Sequence, residues 1–268
     1  MKRSAIITGA AGGIGRATAF SLGEKGYSLL LTDIDSARLA QLKAELERRQ
    51  MEAVTVSGDL SDPSFWPTLA DSAVDAYGRI DVLVNNAAWR RGNSLRKTSF
   101  EDWEKTLRVC LTAPVFLAKS VAAQMEKQGE GGVIINVSSV MAERPSGLAP
   151  AYIAAKGALN SLTRELAITY GRQGIRVVGV APGYVDTELS NDYTDPEGEN
   201  ISQQLIQQLT DYIPLGRGAQ AAEIAGAIAW ACSDAASYLS GTTLTVDGGF
   251  SPNFNSYSAK RWQYPDEF

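Results

Sequence analysis

The sequence predicts a single α/β domain in which helices cover both faces of a doubly wound, seven-stranded parallel sheet. Short apolar runs alternate with amphipathic segments of helical length, which is the pattern of parallel strands joined by crossover helices. The runs are almost continuously apolar, as strands buried on both faces are. With 268 residues, 44% of them apolar, the chain is long enough to form one large domain of this kind.

Seven predicted strands alternate with the predicted crossover helices. The strands are Ser4–Thr8, Ser28–Thr32, Ala53–Ser57, Asp81–Asn85, Val133–Ser138, Arg176–Ala181 and Thr243–Val246. The helices are Gly15–Lys25, Ser36–Gln50, Ser64–Tyr77, Phe100–Lys127, Ala151–Arg172 and Ala222–Ser233. In each helical segment, apolar residues three and four positions apart form the face that would cover the sheet.

Two segments fall outside this alternation. A polar connection around residues 184–215 carries a further predicted helix at Ile201–Tyr212. Long connections at the carboxyl edge of such sheets commonly form lids or pocket walls. We therefore expect one domain over residues 1–250, including this lid, and a C-terminal tail over 251–268.

The sequence contains no histidine, and this absence removes several chemistries. Imidazole is the usual general base near neutral pH and a common zinc ligand. Ser-His-Asp triads and Cys-His nucleophiles are excluded, and no metal site is expected. Proton transfer would have to use Tyr, Lys, Asp, Glu or Cys with a shifted pKa.

Charge and cysteine content exclude further classes of function. The 25 Lys and Arg against 30 Asp and Glu give a net charge of −5 without a basic cluster, which argues against nucleic acid as a partner. Cys110 and Cys232 lie far apart and form no CxxC pair, so neither a disulfide framework nor a thiolate metal site is expected. With no recognisable signal peptide or membrane span, we expect a cytoplasmic protein.

The first predicted strand runs directly into a glycine-rich turn, Thr8-Gly9-Ala10-Ala11-Gly12-Gly13-Ile14-Gly15, from which a helix starts. Glycines let the backbone approach a pyrophosphate, and the free N–H groups of a helix start attract its charge. The GxGxxG dinucleotide fingerprint is incomplete, because Thr18 stands where its third glycine would be. A tight connection between strand and helix is the alternative interpretation.

Asp33 ends the second predicted strand, 18 residues beyond Gly15. An acidic side chain there is placed to bind the adenosine ribose hydroxyls and would repel a 2′-phosphate, which favours NAD over NADP. Neither Ile34 nor Gly12 offers a cation for that phosphate. Alternatively, Asp33 caps the next helix, a role that Asp35 or Ser36 could equally fill.

A tyrosine and a lysine lie one turn apart in the sequence Tyr152-Ile153-Ala154-Ala155-Lys156. On a helix both would share one face, and the ammonium would pull the phenol pKa down from about 10. Ser139 follows a predicted strand at the carboxyl edge, where its hydroxyl can hold a substrate oxygen or simply serve the turn.

These segments together resemble the short-chain dehydrogenase/reductase family, whose fold is Rossmann-like. The resemblance extends from about Lys2 to Phe250. It rests on the glycine turn, Asp59-Leu60, Asn85-Asn86-Ala87-Ala88, Ser139, Tyr152 with Lys156, Pro182-Gly183-Tyr184-Val185-Asp186-Thr187 and Asp247-Gly248-Gly249. Each motif is short, but their order and spacing together are specific.

The resemblance implies an NAD-dependent dehydrogenase that transfers a hydride to or from a CH–OH carbon. Tyr152 would be the acid/base, Lys156 would hold the nicotinamide ribose, and Ser139 would position the substrate oxygen. The implied cofactor-binding residues are Gly9, Gly13, Ile14, Gly15, Asp33, Asp59, Leu60, Asn86, Ala87, Tyr152, Lys156, Pro182, Gly183, Val185 and Thr187. The resemblance also implies a homotetramer.

Two positions depart from the family pattern. Ala88 replaces the glycine of Asn-Asn-Ala-Gly, which costs local backbone freedom. Cys110 stands where the family has an asparagine that helps to hold a proton-relaying water, and a thiol is the poorer hydrogen-bonding group. A buried helix thiol is a simpler interpretation of Cys110 than a redox role.

Polar side chains near the expected pocket mouth suggest a small hydrophilic substrate, such as a sugar, polyol or anionic sugar derivative. Guanidinium groups recognise carboxylate and phosphate in a forked geometry. The candidate substrate residues are Arg90, Arg91, Glu143, Arg144 and Tyr184. Solvated loop charges are the alternative. The rival functions are a 3-oxoacyl thioester reductase, which commonly uses NADPH, and a catalytically impaired nucleotide-binding regulatory or scaffold protein.

Overall fold

The structure, a computed structural model, describes residues 2–191, 193, 195 and 197–268. Over these residues, seven strands form one parallel sheet, which confirms the predicted fold class. The strands are β1 (Ser4–Thr8), β2 (Ser28–Asp33), β3 (Ala53–Ser57), β4 (Val82–Asn85), β5 (Gly132–Val137), β6 (Ile175–Pro182) and β7 (Thr243–Val246). Their spatial order is β3-β2-β1-β4-β5-β6-β7, so the winding direction reverses between β1 and β4. Ligands bind in such sheets at the carboxyl ends beside that reversal.

The helices agree with the predicted ones to within a few residues, with two exceptions. They are α1 (Gly13–Glu24), α2 (Ser36–Arg48), α3 (Trp66–Tyr77), α4 (Phe100–Leu107), α5 (Ala113–Gln128), α6 (Pro150–Tyr170), α7 (Ser202–Thr210), α8 (Ala221–Ala231) and α9 (Tyr257–Gln263). The segment predicted as one helix from Phe100 to Lys127 contains a π-helical turn, Arg108–Thr112, between α4 and α5. Helix α9 in the tail was not predicted.

Local sequence signals account for several helix ends. Asp35 caps α2 by accepting a hydrogen bond from the Arg38 backbone N–H at 3.0 Å. Gln220 and Glu223 form a capping box at the start of α8. Gly78 ends α3 in the left-handed region, at φ 73°, where a glycine is the least strained residue.

Two apolar clusters cover the two faces of the sheet. Ile6 and Ile7 are adjacent in β1 and fully buried, yet they belong to opposite clusters because side chains alternate along a strand. The Ile7 cluster includes residues of α1, α2 and α8. The Ile6 cluster includes residues of α3 and α5. Burial on both faces explains why the strands are almost continuously apolar.

Among the described residues, Phe100–Gln128 is the one helical stretch long and apolar enough to cross a membrane by length and composition. Half of its most apolar window is buried inside the fold. Leu117, Val121 and Met125 are fully buried in the Ile6 cluster. A helix of a globular core has the same properties.

The expected lid begins after β6, passes through a short 3-10 turn at Glu188–Ser190 and continues into α7. Its positions Asp192, Thr194 and Pro196 lie outside the described residues, as does Met1. Its end returns to the sheet, since the Ala219 backbone N–H donates to the Tyr184 carbonyl at 2.9 Å. The division into residues 1–250 and a tail of 251–268 stays a prediction.

Candidate active site

Ser139, Tyr152 and Lys156 line one cleft at the carboxyl edge of the sheet, with a volume of about 820 Å³. Ser139 follows β5, and its hydroxyl accepts the Met141 backbone N–H at 3.1 Å. Tyr152 and Lys156 lie in the first two turns of α6, with the Lys156 Nζ 5.4 Å from the centre of the Tyr152 ring. The predicted shared helix face therefore exists and is directed into the cleft.

The Tyr152 phenol differs from expectation, because its pKa is raised rather than lowered. Burial is the main cause, and the negative charge of a Cys110 thiolate would add to it. The charge of Arg90 and the contact with the Ser139 hydroxyl lower the pKa, but they offset only part of the shift. In this form of the protein, Tyr152 is a protonated phenol at neutral pH.

Lys156 is not among the principal causes of that shift, and the reason is geometric. Its Nζ donates to the Val137 carbonyl oxygen at 2.6 Å, and its side chain is 2% exposed. Burial lowers the pKa of this ammonium below its ordinary value. The backbone carbonyl of Lys156 in turn accepts the Ser138 hydroxyl at 3.2 Å, which ties α6 to the end of β5.

Cys110 is fully buried in the π-helical turn and packs with Tyr152 and Ala155. Its Sγ donates to the Trp89 carbonyl and accepts the Trp89 backbone N–H, both at 3.4 Å. Burial raises the pKa of this thiol, so it is protonated at neutral pH. The thiol thus joins the turn to the connection after β4.

The glycine turn forms the opposite end of the cleft. Gly12 caps α1 without a side chain, and a Cβ added there would meet nothing within 4 Å. Gly13 has φ 39°, and a Cβ there would lie 2.9 Å from the Thr187 Cγ2 atom. A Cβ on Gly15 would overlap the Gly9 carbonyl. The positive φ and the Thr187 side chain therefore favour glycine at position 13, backbone packing requires it at position 15, and the open side at Gly12 leaves room for a ligand.

Asp33 lines this end of the cleft and is not the cap of α2. Its Oδ2 accepts the Ala11 backbone N–H at 2.9 Å, and its Oδ1 accepts the Asp35 backbone N–H at 3.1 Å. Because Asp35 caps α2, the alternative interpretation of Asp33 as that cap does not hold. Its carboxylate instead fixes the glycine turn against the end of β2.

Most of the expected cofactor-binding residues line the cleft, and three do not. Those lining it are Gly9, Gly13, Ile14, Asp33, Asn86, Ala87, Tyr152, Lys156, Pro182, Gly183, Val185 and Thr187. Gly15, Asp59 and Leu60 are absent from the lining. Asp59 accepts the Ser61 backbone N–H at 2.8 Å, in a local turn. Asn86 orders the site, since its Nδ2 donates to the Thr8 and Gly9 carbonyls at 2.9 and 3.0 Å.

The expected substrate residues separate into two groups. Arg90, Arg144 and Tyr184 line the cleft. Arg91 instead pairs with Asp102 at 3.4 Å, and Glu143 is exposed and outside the lining. The structure does not bring these two residues into the cleft, because the loops carrying them direct consecutive side chains to different sides.

Arg144 reaches the cleft but has its guanidinium engaged. Its Nη1 donates to the carbonyls of Phe250, Ser251 and Asn253, the last two at 3.1 Å. Its guanidinium also lies 4.5 Å above the Phe250 ring. Arg90 donates to the Tyr193 hydroxyl at 3.0 Å. The expected role of Arg144 in binding a substrate anion therefore finds no support, because its hydrogen bonds go to the tail.

The substrate end has an apolar wall that sequence reasoning missed. Its main contributors are Met141, Leu148, Leu205, Ile206, Leu209, Ile213 and Phe250. Leu205 and Leu209 are four residues apart in α7, so one face of that helix covers the cleft. That spacing was visible in the sequence, but no pattern there indicates whether the face packs on the core or on a pocket.

Within the part of the chain that the structure describes, no three His, Cys, Asp or Glu side chains are grouped to hold a metal ion. The cleft instead combines the glycine turn, the Asp33 carboxylate and the Ser139, Tyr152 and Lys156 side chains. This combination suits a dinucleotide and a small molecule whose hydroxyl or carbonyl meets Tyr152.

Comparisons with known proteins agree with this arrangement. A family model described as Enoyl-(Acyl carrier protein) reductase matches residues 9–251. L-rhamnose 1-dehydrogenase (NAD(P)(+)) of Sphingomonas sp. is 32% identical over 94% of this chain and 97% of its own. Cis-4-hydroxycyclohexanecarboxylate dehydrogenase of Sinomonas cyclohexanicum is 35% identical over 93% and 96%. The crystal structure of acetoin dehydrogenase YohF from Salmonella typhimurium superposes with a TM-score of 0.84 at 34% identity, covering 96% of this chain and 100% of that one.

Proposed function

The chain belongs to the short-chain dehydrogenase/reductase family, and from that premise we propose that it is an NAD-dependent oxidoreductase. It would act on the CH–OH group of a small substrate. The observation that carries the proposal is one cleft lined by Ser139, Tyr152 and Lys156 together with the glycine turn and Asp33. The family uses a nicotinamide cofactor, and the choice of NAD is our proposal.

The residues of the cleft fit a dinucleotide. Open space at Gly12 and the uncapped start of α1 would receive the pyrophosphate. Asp33 would accept the adenosine ribose hydroxyls, and Lys156 would donate to the nicotinamide ribose. The bound nicotinamide supplies the exchange of a hydride with the substrate carbon.

Proton transfer is the task of this chain's own side chains. In reduction, the Tyr152 hydroxyl would give its proton to the carbonyl oxygen, and in oxidation the Tyr152 phenolate would take the proton of the alcohol. The Ser139 hydroxyl, already in contact with the phenol, would hold the same substrate oxygen. Turning the Lys156 Nζ from the Val137 carbonyl toward a ribose would bring its charge to bear on the phenol and favour the phenolate.

Cofactor choice follows from the charge at the end of β2. The Asp33 carboxylate accepts two backbone N–H groups, and this geometry holds it at the cleft. A 2′-phosphate there would meet like charge, whereas ribose hydroxyls could donate to the carboxylate. This supports NAD over NADP.

Two substrate classes compete. A sugar, polyol or anionic sugar is supported by the L-rhamnose dehydrogenase relative and by Arg90 in the cleft. A compact alcohol or hydroxyketone with a largely hydrocarbon body is supported by the apolar wall, in which Leu205, Leu209 and Ile213 face the cleft. Because Arg91 and Glu143 lie elsewhere and Arg144 is engaged, we favour the compact alcohol.

A substrate panel with NAD and NADP tests the proposal. NADH formation is measured with acetoin, cyclohexanols, rhamnose, glucose and polyols, for the wild type and for Tyr152→Phe. We expect turnover of the compact alcohols and a loss of roughly 10²–10⁴-fold in the variant. Turnover of sugars alone would reverse the substrate assignment, and unchanged rates in Tyr152→Phe would overturn the catalytic one.

The rival functions give different outcomes in the same assay. A 3-oxoacyl thioester reductase, in line with the description of the family model, would oxidise NADPH with an acetoacetyl thioester. A regulatory or scaffold protein would bind NAD and turn over nothing. A homotetramer is a further part of the proposal, and light scattering coupled to size-exclusion chromatography measures it directly.

A further inference from the structure

Arg38 places a cation at the Asp33 end of the cleft. It lies in the first turn of α2 and lines the same cleft as Asp33. Pairing with Glu188 and, to a smaller extent, the charges of Asp35 and Asp33 raise its pKa. The cation is therefore within the field of the carboxylate that would bind the adenosine ribose.

Glu188 binds this cation with both of its carboxylate oxygens. The Arg38 Nη1 donates to the Glu188 Oε2 at 2.7 Å, and the Nη2 donates to the Oε1. Both side chains are exposed at the rim of the cleft. This forked pair occupies the two terminal nitrogens of the guanidinium group, which could otherwise donate to a phosphate.

The lid holds Glu188 in that position. Thr187, the preceding residue, packs so closely on the glycine turn that a Cβ at Gly13 would lie 2.9 Å from its Cγ2. Asp186 is anchored by its backbone N–H to the Ala219 carbonyl at 2.9 Å. The segment after β6 thus crosses the cleft and brings Glu188 to α2, 150 residues away in sequence.

NADP differs from NAD only by a phosphate on the adenosine ribose. The Asp33 carboxylate would repel that phosphate. An arginine nearby could offset the repulsion and accommodate the phosphate. Arg38 is such an arginine, but its fork is occupied by Glu188. Ile34 and Gly12 offer no cation, and the pair of Arg38 and Glu188 was not predicted from the sequence.

We propose that Glu188 is a specificity-determining residue that favours NAD by holding Arg38 away from a 2′-phosphate. Asp33 would then exclude the phosphate directly and Glu188 indirectly. The inference rests on the proposed binding of NAD in this cleft. It assigns a function to the lid that is independent of the substrate.

A double-mutant cycle tests it by equilibrium binding. Isothermal titration calorimetry measures the dissociation constants of NAD, NADP and 2′,5′-ADP for wild type, Glu188→Gln, Arg38→Met and the double variant. We expect Glu188→Gln to lower the dissociation constants of NADP and 2′,5′-ADP about tenfold, which corresponds to one charge-assisted hydrogen bond. The dissociation constant of NAD should change little. In the Arg38→Met background, the same substitution should raise the affinity for NADP and 2′,5′-ADP by less than about threefold.

Glu197→Gln is the matched control, because it removes one carboxylate from the same connection at a position outside the cleft lining. If Glu188→Gln raised the affinity for NADP equally in the wild type and in Arg38→Met, the proposal would be overturned, since the gain would reflect lost negative charge alone. An unchanged preference would overturn it as well. Failure of the wild type to bind NAD is a separate outcome, which refutes the proposed function.

Discussion

The Cys110 Sγ lies 3.4 Å from both the backbone nitrogen and the carbonyl oxygen of Trp89. One side chain therefore acts as donor and acceptor toward a single residue in the connection after β4. An asparagine amide has the same two capacities, with stronger hydrogen bonds. Cys110 thus makes, more weakly, two contacts that an asparagine at this position could also make, and from this we expect the site to work.

Replacing Cys110 tests this contact. We expect Cys110→Asn to retain activity, and Cys110→Ala to lose about 1–2 kcal/mol of stability because both Trp89 backbone groups lose their partner. Chemical unfolding and kcat give the two readouts. Cys232→Ala is the control for loss of a buried thiol outside the cleft. An inactive Cys110→Asn alongside a fully active Cys110→Ala would contradict the interpretation.

The pH dependence follows from the raised pKa of Tyr152. Burial holds its folded-state value above the ordinary 10.0, so the phenol is protonated at neutral pH in the free protein. Oxidation of an alcohol needs the deprotonated form, whereas reduction of a carbonyl needs the protonated one. We expect kcat/KM for oxidation to rise from pH 7 to 10, by up to about tenfold per pH unit, and kcat/KM for reduction to change little.

The raised pKa of Tyr152 also makes the stability of the fold depend on pH. A raised folded-state pKa contributes stability that is present below the unfolded value and is lost as pH rises through the folded value. Above pH 10, wild type should therefore lose stability faster than Tyr152→Phe in thermal unfolding. Tyr184→Phe, which also removes a hydroxyl at the cleft, should retain the pH dependence of the wild type, whatever its effect on KM. A flat oxidation profile in wild type would count against Tyr152 as the base.

Asp33 has two separable tasks, which two substitutions distinguish. Asp33→Asn keeps an oxygen that can accept the Ala11 backbone N–H but removes the charge, so it should relax discrimination against NADP with little loss of stability. Asp33→Ala also frees two backbone donors and should cost a further 1–3 kcal/mol or so. Binding constants for both nucleotides and thermal unfolding provide the measurements. Unchanged cofactor preference in both variants would leave Asp33 as a turn residue only.

The sheet and the Ser139, Tyr152 and Lys156 cluster were predictable for a common physical reason. Alternating strands and helices imply a parallel sheet, and every strand of a parallel sheet ends at the same edge. Ser139 follows a strand, and the spacing of Tyr152 and Lys156 needs only a helix to bring the two together. Local patterns were therefore sufficient to predict that these three residues converge.

Features that depend on long-range contacts were not predictable in this way. The direction of Lys156 depends on where the Val137 carbonyl lies, and the burial of Tyr152 itself raises the pKa that the sequence predicted to be lowered. The pair of Arg38 and Glu188 joins residues 150 positions apart. Helical periodicity alone also concealed the π-helical turn at Cys110, because that turn lies inside a continuous amphipathic pattern.

Arg91 and Arg144 were equivalent in the sequence, and the structure predicts opposite outcomes for them. Arg91 forms an exposed pair with Asp102 outside the cleft, and such pairs contribute little. Arg144 donates to the Phe250 carbonyl and to two carbonyls of the tail, and it stacks on Phe250, which lines the substrate end. Removing its guanidinium breaks the contacts with these carbonyls, of which that of Phe250 keeps the Asn253 backbone N–H as a donor, and loosens one wall of the pocket.

We therefore expect Arg144→Met to raise KM for the alcohol several-fold and to lower the unfolding temperature, by roughly 2–4 °C for each kcal/mol lost. Its kcat should stay within about threefold, because Ser139, Tyr152 and Lys156 keep their contacts. Arg91→Met is the matched control and should leave all three quantities near wild type. If Arg144→Met raised KM for anionic substrates alone, without loss of stability, Arg144 would instead be a substrate-binding residue and its contact with the tail would be secondary.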